Sequence, residues 1–175
     1  FSKLEAGSMR VNIRNIDLDQ VFKRVKETFE GICKMKNIEF RCDTSEINLI
    51  SDFDHLYKVV TNLVSNAYKF TDSGYIALSA TSDDQQVTIN VTDSGCGIKD
   101  NEIAKIFNRF NQGTIQNNKA PGTGIGLHIV NRLVRIHGGE IKVASSFGQG
   151  STFSVVMPIQ SARARDQEKQ YARKT

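Results

Sequence analysis

The sequence predicts an α+β domain: a two-layer sandwich with a mixed, mostly antiparallel sheet and its helices on one face. Two long runs, from about 17 to 36 and from about 54 to 70, repeat apolar residues at the spacing of amphipathic helices. Two shorter runs, 74–81 and 86–92, alternate as strands and are joined by the polar turn Ser82 to Gln85. Because a tight hairpin joins antiparallel neighbours, a purely parallel βαβ order is excluded.

Length and composition are those of an ordinary globular domain. The chain has 175 residues, 39% hydrophobic and 24% charged, so one domain with its own core is expected. Its three cysteines include no CxxC pair, which argues against a zinc site or a disulfide framework and favours a reducing compartment. No apolar run reaches the roughly 20 residues of a membrane span, and no signal peptide opens the chain. We expect a cytoplasmic domain, which leaves open whether the full-length parent is anchored in the inner membrane.

The elements before the hairpin follow from caps and periodicity. Residues 1–8 have helical spacing and include a glycine that can end a helix, as expected for the end of a preceding domain. A short strand is expected within 11–16, and Asp17 is a candidate N-cap for the first long helix. IEFRCD, 38–43, and NLISD, 48–52, have the composition of two further strands.

The elements after the hairpin begin with the loop 93–98 and a short helix near 100–107. The stretch 111–121 is polar and lacks periodicity, which indicates a connection of lid length. A glycine-led helix follows it. Two strands, 140–145 and 151–157, then close the domain.

A change of pattern marks the end of the domain. We assign 9–160 to the domain and 161–175 to a basic tail, which carries much of the net charge of +4. A basic tail can bind nucleic acid, but no aromatic stacking platform accompanies this one. We therefore expect a solvated linker and no nucleic-acid partner.

Three polar residues share one stripe of the second long helix. Asn62, Asn66 and Lys69 fall at positions i, i+4 and i+7. An amide oxygen can ligate a hard cation such as Mg²⁺, and an ammonium group can meet phosphate oxygens. The alternative is a polar outer face, because the apolar residues occupy the remaining positions of the helix. These residues alone do not decide between the two.

The loop DSGCGI follows a strand directly. The carboxylate of Asp93 can accept a hydrogen bond from a ligand amine such as purine N6, while Gly95 and Gly97 let the backbone come close. The alternative is that Asp93 only ends the strand or caps the next segment. Downstream, Phe107 and Phe110 have the spacing of core anchors. Arg109 is either a solvated charge or a γ-phosphate contact.

Alternating glycines open the helix that follows the polar connection. Gly122, Gly124 and Gly126 precede a run of apolar residues at helical spacing. A helix N-terminus offers unpaired N–H groups and the positive end of a dipole, so the segment is a candidate phosphate-binding site. A Rossmann dinucleotide site also uses a glycine-rich helix start, but it needs GxGxxG spacing and a preceding strand. Here the spacing is GxGxG and a polar connection precedes it.

Taken in order, these motifs resemble the GHKL (Bergerat) ATP-binding fold and, within it, the catalytic domain of sensor histidine kinases. NLVSNAYKFT resembles the asparagine box of that family, DSGCGI the first glycine box and IFNRF the phenylalanine box. GTGIGLHIVNRLV resembles the second glycine box and GQGSTFSVVMP the closing strand. The likeness covers roughly residues 1–160 and includes FSKLEAG, which resembles the end of the dimerisation-domain helix.

The resemblance implies ATP and Mg²⁺ as cofactors. Asn66 would ligate the metal, Lys69 would meet phosphate, Asp93 would hold the adenine amine and Phe70 would pack on the ring. Asn62, Lys69 and Arg109 would be the catalytic residues. The remaining implied nucleotide contacts are Gly95, Gly97, Ile98, Gln112, Gly122, Thr123, Gly124, Ile125, Gly126, Leu127 and Thr152, with Thr152 helping to fix the base.

The implied activity is transfer of the ATP γ-phosphoryl group to a histidine on a dimerisation domain that this sequence does not contain. We expect His55, His128 and His137 to be surface, packing or helix-dipole residues, because none has the sequence context of a phosphoacceptor. The implied partners are the dimerisation domain of the same protein and a response regulator or receiver domain. FSKLEAG and RFNQG also resemble hybrid-type kinases, and the fragment itself is expected to be monomeric or a weak dimer.

Two other functions remain alternatives. A GHKL ATPase of the gyrase or mismatch-repair type has a glutamate general base where this chain has Asn62, and an amide cannot take a proton from water. A degenerate domain that only docks partners would not need the full set of glycines together with Asn66.

Overall fold

The structure, a computed structural model, describes residues 11–43, 46–107 and 125–160. The predicted dimerisation-helix end at 1–8, the connection 111–121 and the tail 161–175 lie outside these ranges. The described helices are α1 (Leu18–Met35), α2 (Phe53–Phe70), α3 (Asp100–Ile103) and α4 (Gly126–Ile136). The described strands are β1 (Arg14–Asp17), β2 (Ile38–Cys42), β3 (Asn48–Ser51), β4 (Gly74–Ser82), β5 (Gln86–Asp93), β6 (Glu140–Ser146) and β7 (Gly150–Pro158).

The main sheet has the strand order β2-β4-β5-β7-β6. Strand β2 pairs with β4 in parallel, and the other neighbours are antiparallel. Strands β1 and β3 form a separate antiparallel ribbon. The prediction of a mixed, mostly antiparallel sheet is therefore confirmed, including the hairpin between β4 and β5.

One face of this sheet is covered and the other is open. In β5, Val87, Ile89 and Val91 are fully buried, whereas the residues between them are only half-buried. Helix α2 packs on β4 and β5, and α4 packs on α2 and β6. Each fully buried aliphatic side chain contributes about 1.5–3 kcal/mol of transfer free energy, so the helical layer is held by this one face. The predicted two-layer arrangement is confirmed.

Helix boundaries follow the caps that the sequence contains. The side chain of Asp17 accepts the N–H of Asp19 at 3.0 Å at the start of α1. Asp52 does the same at α2, where it accepts from Asp54 and His55 at 2.9 and 3.1 Å, so the preceding strand ends at Ser51 rather than at residue 52.

The helix predicted near 100–107 is shorter in the structure than expected, and this is the main difference between the predicted and observed elements. It covers only Asp100–Ile103, and turns continue to residue 107. Its N-cap residue, Lys99, makes no side-chain cap among the described contacts, so the first turn lacks the stabilisation that begins α1 and α2. Within the described ranges, no helix is long and apolar enough to cross a membrane.

Candidate functional site

The asparagine stripe of α2 lies at the border between core and solvent. Asn62, Asn66 and Lys69 are half-buried, while Leu63 and Val64 beside them are fully buried. The Asn62 side-chain amide donates to the Lys58 carbonyl at 2.7 Å, which fixes one end of that amide. The stripe is therefore a partly enclosed polar wall beside the core.

The start of α4 lies directly against this wall. A Cβ added to Gly126 would lie 3.0 Å from Oδ1 of Asn62, closer than most Cβ contacts in proteins. Ile125 is the N-cap of α4 and makes no side-chain cap with any described residue. Leu127 is half-buried and packs against the core. The structure thus brings the last part of the predicted glycine segment to the asparagine stripe, as a phosphate-binding site beside it would need.

Asp93 ends β5 on the buried face of the sheet and is 6% exposed. One of its oxygens, Oδ1, accepts the N–H of Gly95 at 2.9 Å. Burial raises the pKa of the Asp93 carboxyl, and this effect outweighs the opposing hydrogen bonds from the backbone N–H groups of Gly95 and Ser151. A carboxylate has about four lone-pair positions, so Asp93 keeps acceptor capacity for a ligand amine.

The glycines after Asp93 are required by the protein's own backbone. A Cβ on Gly95 would press into the carbonyl oxygen of Phe70, and one on Gly97 into the carbonyl of Ser146. Gly97 also has a positive φ of 65°. Cys96 N–H donates to the Phe70 carbonyl at 3.1 Å, which ties the loop to the end of α2. This packing brings Asp93 and Phe70, both predicted adenine contacts, to one place.

Lys69, Phe70 and Ile98 complete the described part of this region. The Lys69 Nζ lies 5.1 Å from the centroid of the Phe70 ring, within the range of a cation–π contact. Ile98 packs against the core, and its N–H donates to the Ser145 hydroxyl at 2.8 Å. The backbone donor of Ile98 is thus already engaged, so its contribution to a pocket would come from its side chain.

Thr152 lies on the opposite face of β7 from Ser151, the register partner of Asp93, and this position does not favour its predicted role in fixing the base. Thr152 pairs with Thr92 on the open face of the sheet, and their hydroxyl oxygens are 3.1 Å apart. Because side chains alternate along a strand, its neighbour Ser151 faces the buried side. Ser151 is opposite Asp93 in the register and 7% exposed, with its hydroxyl 3.0 Å from that of Ser145. The buried Phe153, two residues further along β7, faces the same side as Ser151.

Thr71, which follows Phe70, was not among the predicted site residues and is a further candidate. It is fully buried, and its hydroxyl has no hydrogen-bond partner among the described residues. An unsatisfied buried hydroxyl costs about 1–3 kcal/mol, which a ligand or a water molecule would recover. Its position as the last residue of NLVSNAYKFT was a signal for it. The other predicted contacts, Arg109, Gln112, Gly122, Thr123 and Gly124, lie outside the described residues.

Sequence relatives cover nearly the whole chain. Residues 51–161 match the family model described as histidine kinase-, DNA gyrase B-, and HSP90-like ATPase. The circadian input-output histidine kinase CikA of Synechococcus elongatus is 32% identical over 92% of this chain and 22% of CikA. The sensor protein TorS of Escherichia coli is 34% identical over 94% of this chain and 18% of TorS. The chain thus spans about a fifth of the length of these curated relatives.

Solved structures of histidine kinases also resemble this chain. Full-length ShkA in complex with AMPPNP has a TM-score of 0.79 at 28% identity, over 92% of this chain and 34% of that one. The nucleotide-free catalytic domain of the histidine kinase ThkA has a TM-score of 0.74 at 26% identity, over 85% of this chain and 99% of that one. With the matched family model, these likenesses establish that the chain belongs to the histidine kinase-, DNA gyrase B- and HSP90-like ATPase family, as a domain of the sensor histidine kinase type.

Proposed function

We propose that this domain binds ATP with Mg²⁺ and presents the γ-phosphoryl group to a histidine on a dimerisation domain outside this chain. The observation that carries the proposal is the pairing of two polar regions along α2. Near its middle, Asn62 lies against the start of α4, and at its end the Phe70 carbonyl is tied to the loop that follows Asp93. A nucleotide has two ends of matching chemistry, a base with an exocyclic amine and an anionic triphosphate.

The region around Asp93 suits adenine. Its buried carboxylate is an acceptor, and adenine N6 is a donor, whereas guanine has an acceptor at the same position. Ser151 and the unsatisfied hydroxyl of Thr71 are further buried groups that support recognition of a polar base edge, directly or through water. Phe70 would supply an apolar surface for the ring.

The region around Asn62 suits the triphosphate. The dipole of α4 and the N–H groups of its first turn favour an anion beside Gly126. Lys69 is a cation on the same stripe, and the amide oxygen of Asn66 is a suitable ligand for Mg²⁺, which prefers oxygen ligands. When bound, the ion would neutralise charge on the transferring group. Arg109, Gln112, Gly122, Thr123 and Gly124 remain predicted contacts at this end.

Phosphoryl transfer to histidine requires positioning and charge neutralisation, and these residues would provide both. The nucleophile would be an imidazole nitrogen of the dimerisation domain, and the product would be passed to a response regulator or receiver domain. Hydrolysis by this domain is disfavoured, because Asn62 is an amide whose nitrogen donates to Lys58 and cannot serve as a general base. A cytoplasmic location and a hybrid architecture of the parent belong to the same proposal.

The test compares ATP and GTP analogues by calorimetry on the wild-type chain, Asp93→Asn and a matched control, Asp83→Asn. Asp83 lies at the other end of the same hairpin and accepts the N–H groups of Gln85 and Gln86. We expect Asp93→Asn to lose about 10- to 100-fold in ATP affinity, because an amide nitrogen would face the N6 donor.

Asp83→Asn should bind as the wild type does, and the wild type should prefer ATP to GTP. Equal affinity of wild type and Asp93→Asn for ATP would refute the assignment of the base-binding end. Absence of any ATP binding would favour a domain that only docks partners.

A further inference from the structure

Two buried histidines meet behind the candidate site, 82 residues apart in sequence. His55 lies in the first turn of α2 and His137 is the C-cap of α4. Nδ1 of His55 is 3.0 Å from Nε2 of His137, and the rings meet edge to face at a centroid distance of 5.3 Å. The two residues are 5% and 2% exposed, so a surface role is wrong for both. A packing role, the other expectation for these histidines, does not explain why two of their ring nitrogens are in direct contact.

The pair joins the two helices that carry the phosphate end of the site. Helices α2 and α4 pack against each other, with Asn62 against Gly126 at one point and His55 against His137 at another. At 1.5 Å per residue, these points are about 10 Å apart along α2 and about 16 Å apart along α4. Two contacts so far apart fix the angle between the helices. A change at the histidine end would therefore move Gly126 relative to Asn62.

The contact tolerates one extra proton but not two. A neutral imidazole has one donor and one acceptor nitrogen, so a single N–H bridges the pair. With one proton added, His137 can donate both to His55 and to the Ser51 hydroxyl, whose oxygen lies 3.4 Å from Nδ1 of His137. A second proton would place two N–H donors against each other at the 3.0 Å contact and break it.

The charged groups around the pair favour the first proton. Asp52 is 4% exposed and accepts the backbone N–H of His55. Burial raises the pKa of Asp52, but hydrogen bonds from the backbones of Asn12, His55 and Asp54 and the charge of His55 outweigh burial and hold the pKa below its usual value. The charged side chains beside the pair in sequence are exposed: Asp54, Arg135 and Glu140.

We propose that His55 and His137 are a positioning pair whose hydrogen bond sets the angle between α2 and α4, and with it the approach of Gly126 to Asn62. The inference rests on the proposed nucleotide-binding function and adds a pH dependence to it. Nucleotide affinity is then highest while the pair holds no more than one added proton, and it falls when the second proton is added.

The test is the affinity of an ATP analogue, with Mg²⁺, from about pH 8 down to the lowest pH at which each protein stays folded, because burial and the charge of the first proton oppose entry of the second. Four proteins are compared: the wild-type chain, His55→Gln, the double variant His55→Leu/His137→Leu, and the control His128→Gln. The wild type should lose about five- to tenfold in affinity at the acid end. Glutamine keeps a donor and an acceptor without titrating, so His55→Gln should bind normally at neutral pH and lose much less on acidification.

The double variant replaces both members of the contact with apolar side chains, so neither imidazole is left facing a lost partner, while the Ser51 hydroxyl loses its 3.4 Å contact with His137. It should bind several-fold more weakly than the wild type at neutral pH and show the same flattened profile as His55→Gln. Denaturant unfolding of each protein separates this loss from a loss of folded protein. Titration of the nucleotide phosphate is common to all and cancels in the comparison.

His128→Gln is the matched control, because His128 is the half-buried histidine near the other end of α4. It should keep the wild-type profile. A flattened profile in His128→Gln, or a double variant that binds as the wild type does at every pH, would overturn the positioning role. Wild-type protein that binds no nucleotide at any pH would instead refute the proposed function, and the positioning role with it.

Discussion

The two ends of the candidate nucleotide site are built in different ways. The Asp93 end consists of buried groups packed against one another: a carboxylate, two glycines without room for a side chain, and a backbone hydrogen bond to Phe70. The Asn62 end is a half-buried polar stripe on α2, met by the first residue of α4. The base would therefore meet a surface fixed by packing, and the triphosphate a surface of adjustable polar side chains. An added side chain that crowds the first end should cost stability, and one that crowds the second end should cost affinity.

The largest expected effect is at Gly97, in the packed end. Gly97→Ala adds a left-handed alanine, at about 1–2 kcal/mol, and a collision with the Ser146 carbonyl, at about 1–3 kcal/mol. We expect a loss of about 3 kcal/mol in the free energy of unfolding, measured by denaturant. Gly148→Ala is the control, because its φ is +83° but nothing lies within 4 Å of an added Cβ. Equal losses in the two variants would show that packing at Gly97 contributes nothing.

The next effect separates the two neighbours on β7. Ser151→Ala removes a hydroxyl beside Asp93 and should weaken ATP-analogue binding about fivefold, for a hydrogen bond worth about 1 kcal/mol. Thr152→Ala removes a hydroxyl from the open face of the sheet and should leave the affinity unchanged. Calorimetry on both variants decides which residue helps to fix the base. A larger loss of affinity in Thr152→Ala than in Ser151→Ala would support Thr152 as the residue that helps to fix the base.

Gly126→Ala tests the adjustable end. Alanine favours helix by about 1 kcal/mol over glycine, so the unfolding free energy should not fall. The added Cβ would lie 3.0 Å from Oδ1 of Asn62, and the Asn62 side chain must shift to admit it. We therefore expect a loss of a few-fold in ATP-analogue affinity at unchanged stability. A less stable variant with normal affinity would mean that this end, too, is fixed by packing.

The smallest expected effect is a gain in stability. Because burial raises the pKa of Asp93 in the folded state, the folded protein holds the proton more tightly than the unfolded chain does. The carboxyl thus favours folding below its unfolded pKa of about 3.9, and that stability is lost as pH rises through the folded pKa. Asp93→Asn removes the buried charge, so the nucleotide-free variant should have a higher free energy of unfolding than the wild type at pH 7. The gain in that free energy should be smaller near pH 4. A variant less stable at pH 7 would mean that the carboxylate is stabilised in place.

The sequence predicted what depends on local patterns. Asp17 is the N-cap of α1 as predicted, and the period of 3.6 gave α1 and α2 almost to the residue, whereas Asp52, predicted as the end of a strand, caps α2. The sequence does not specify features that depend on distant neighbours. Thr152 and Ser151 are equivalent by composition, and only the pairing of β7 with β5 shows which one faces Asp93. The contact between His55 and His137 joins residues that no local pattern relates, and the crowding around Gly95 comes from a carbonyl 25 positions earlier.

The most direct test of the account is binding of an ATP analogue to the wild-type chain and to Asn66→Ala, each with and without Mg²⁺. The wild type should bind with Mg²⁺ and lose affinity when the metal is removed, because Asn66 would hold the ion and the ion would neutralise charge on the phosphates. Asn66→Ala should bind as weakly with Mg²⁺ as the wild type does without it. Wild-type binding that is absent, or equally tight in both conditions and unchanged by Asn66→Ala, would contradict the proposed Mg²⁺–ATP site.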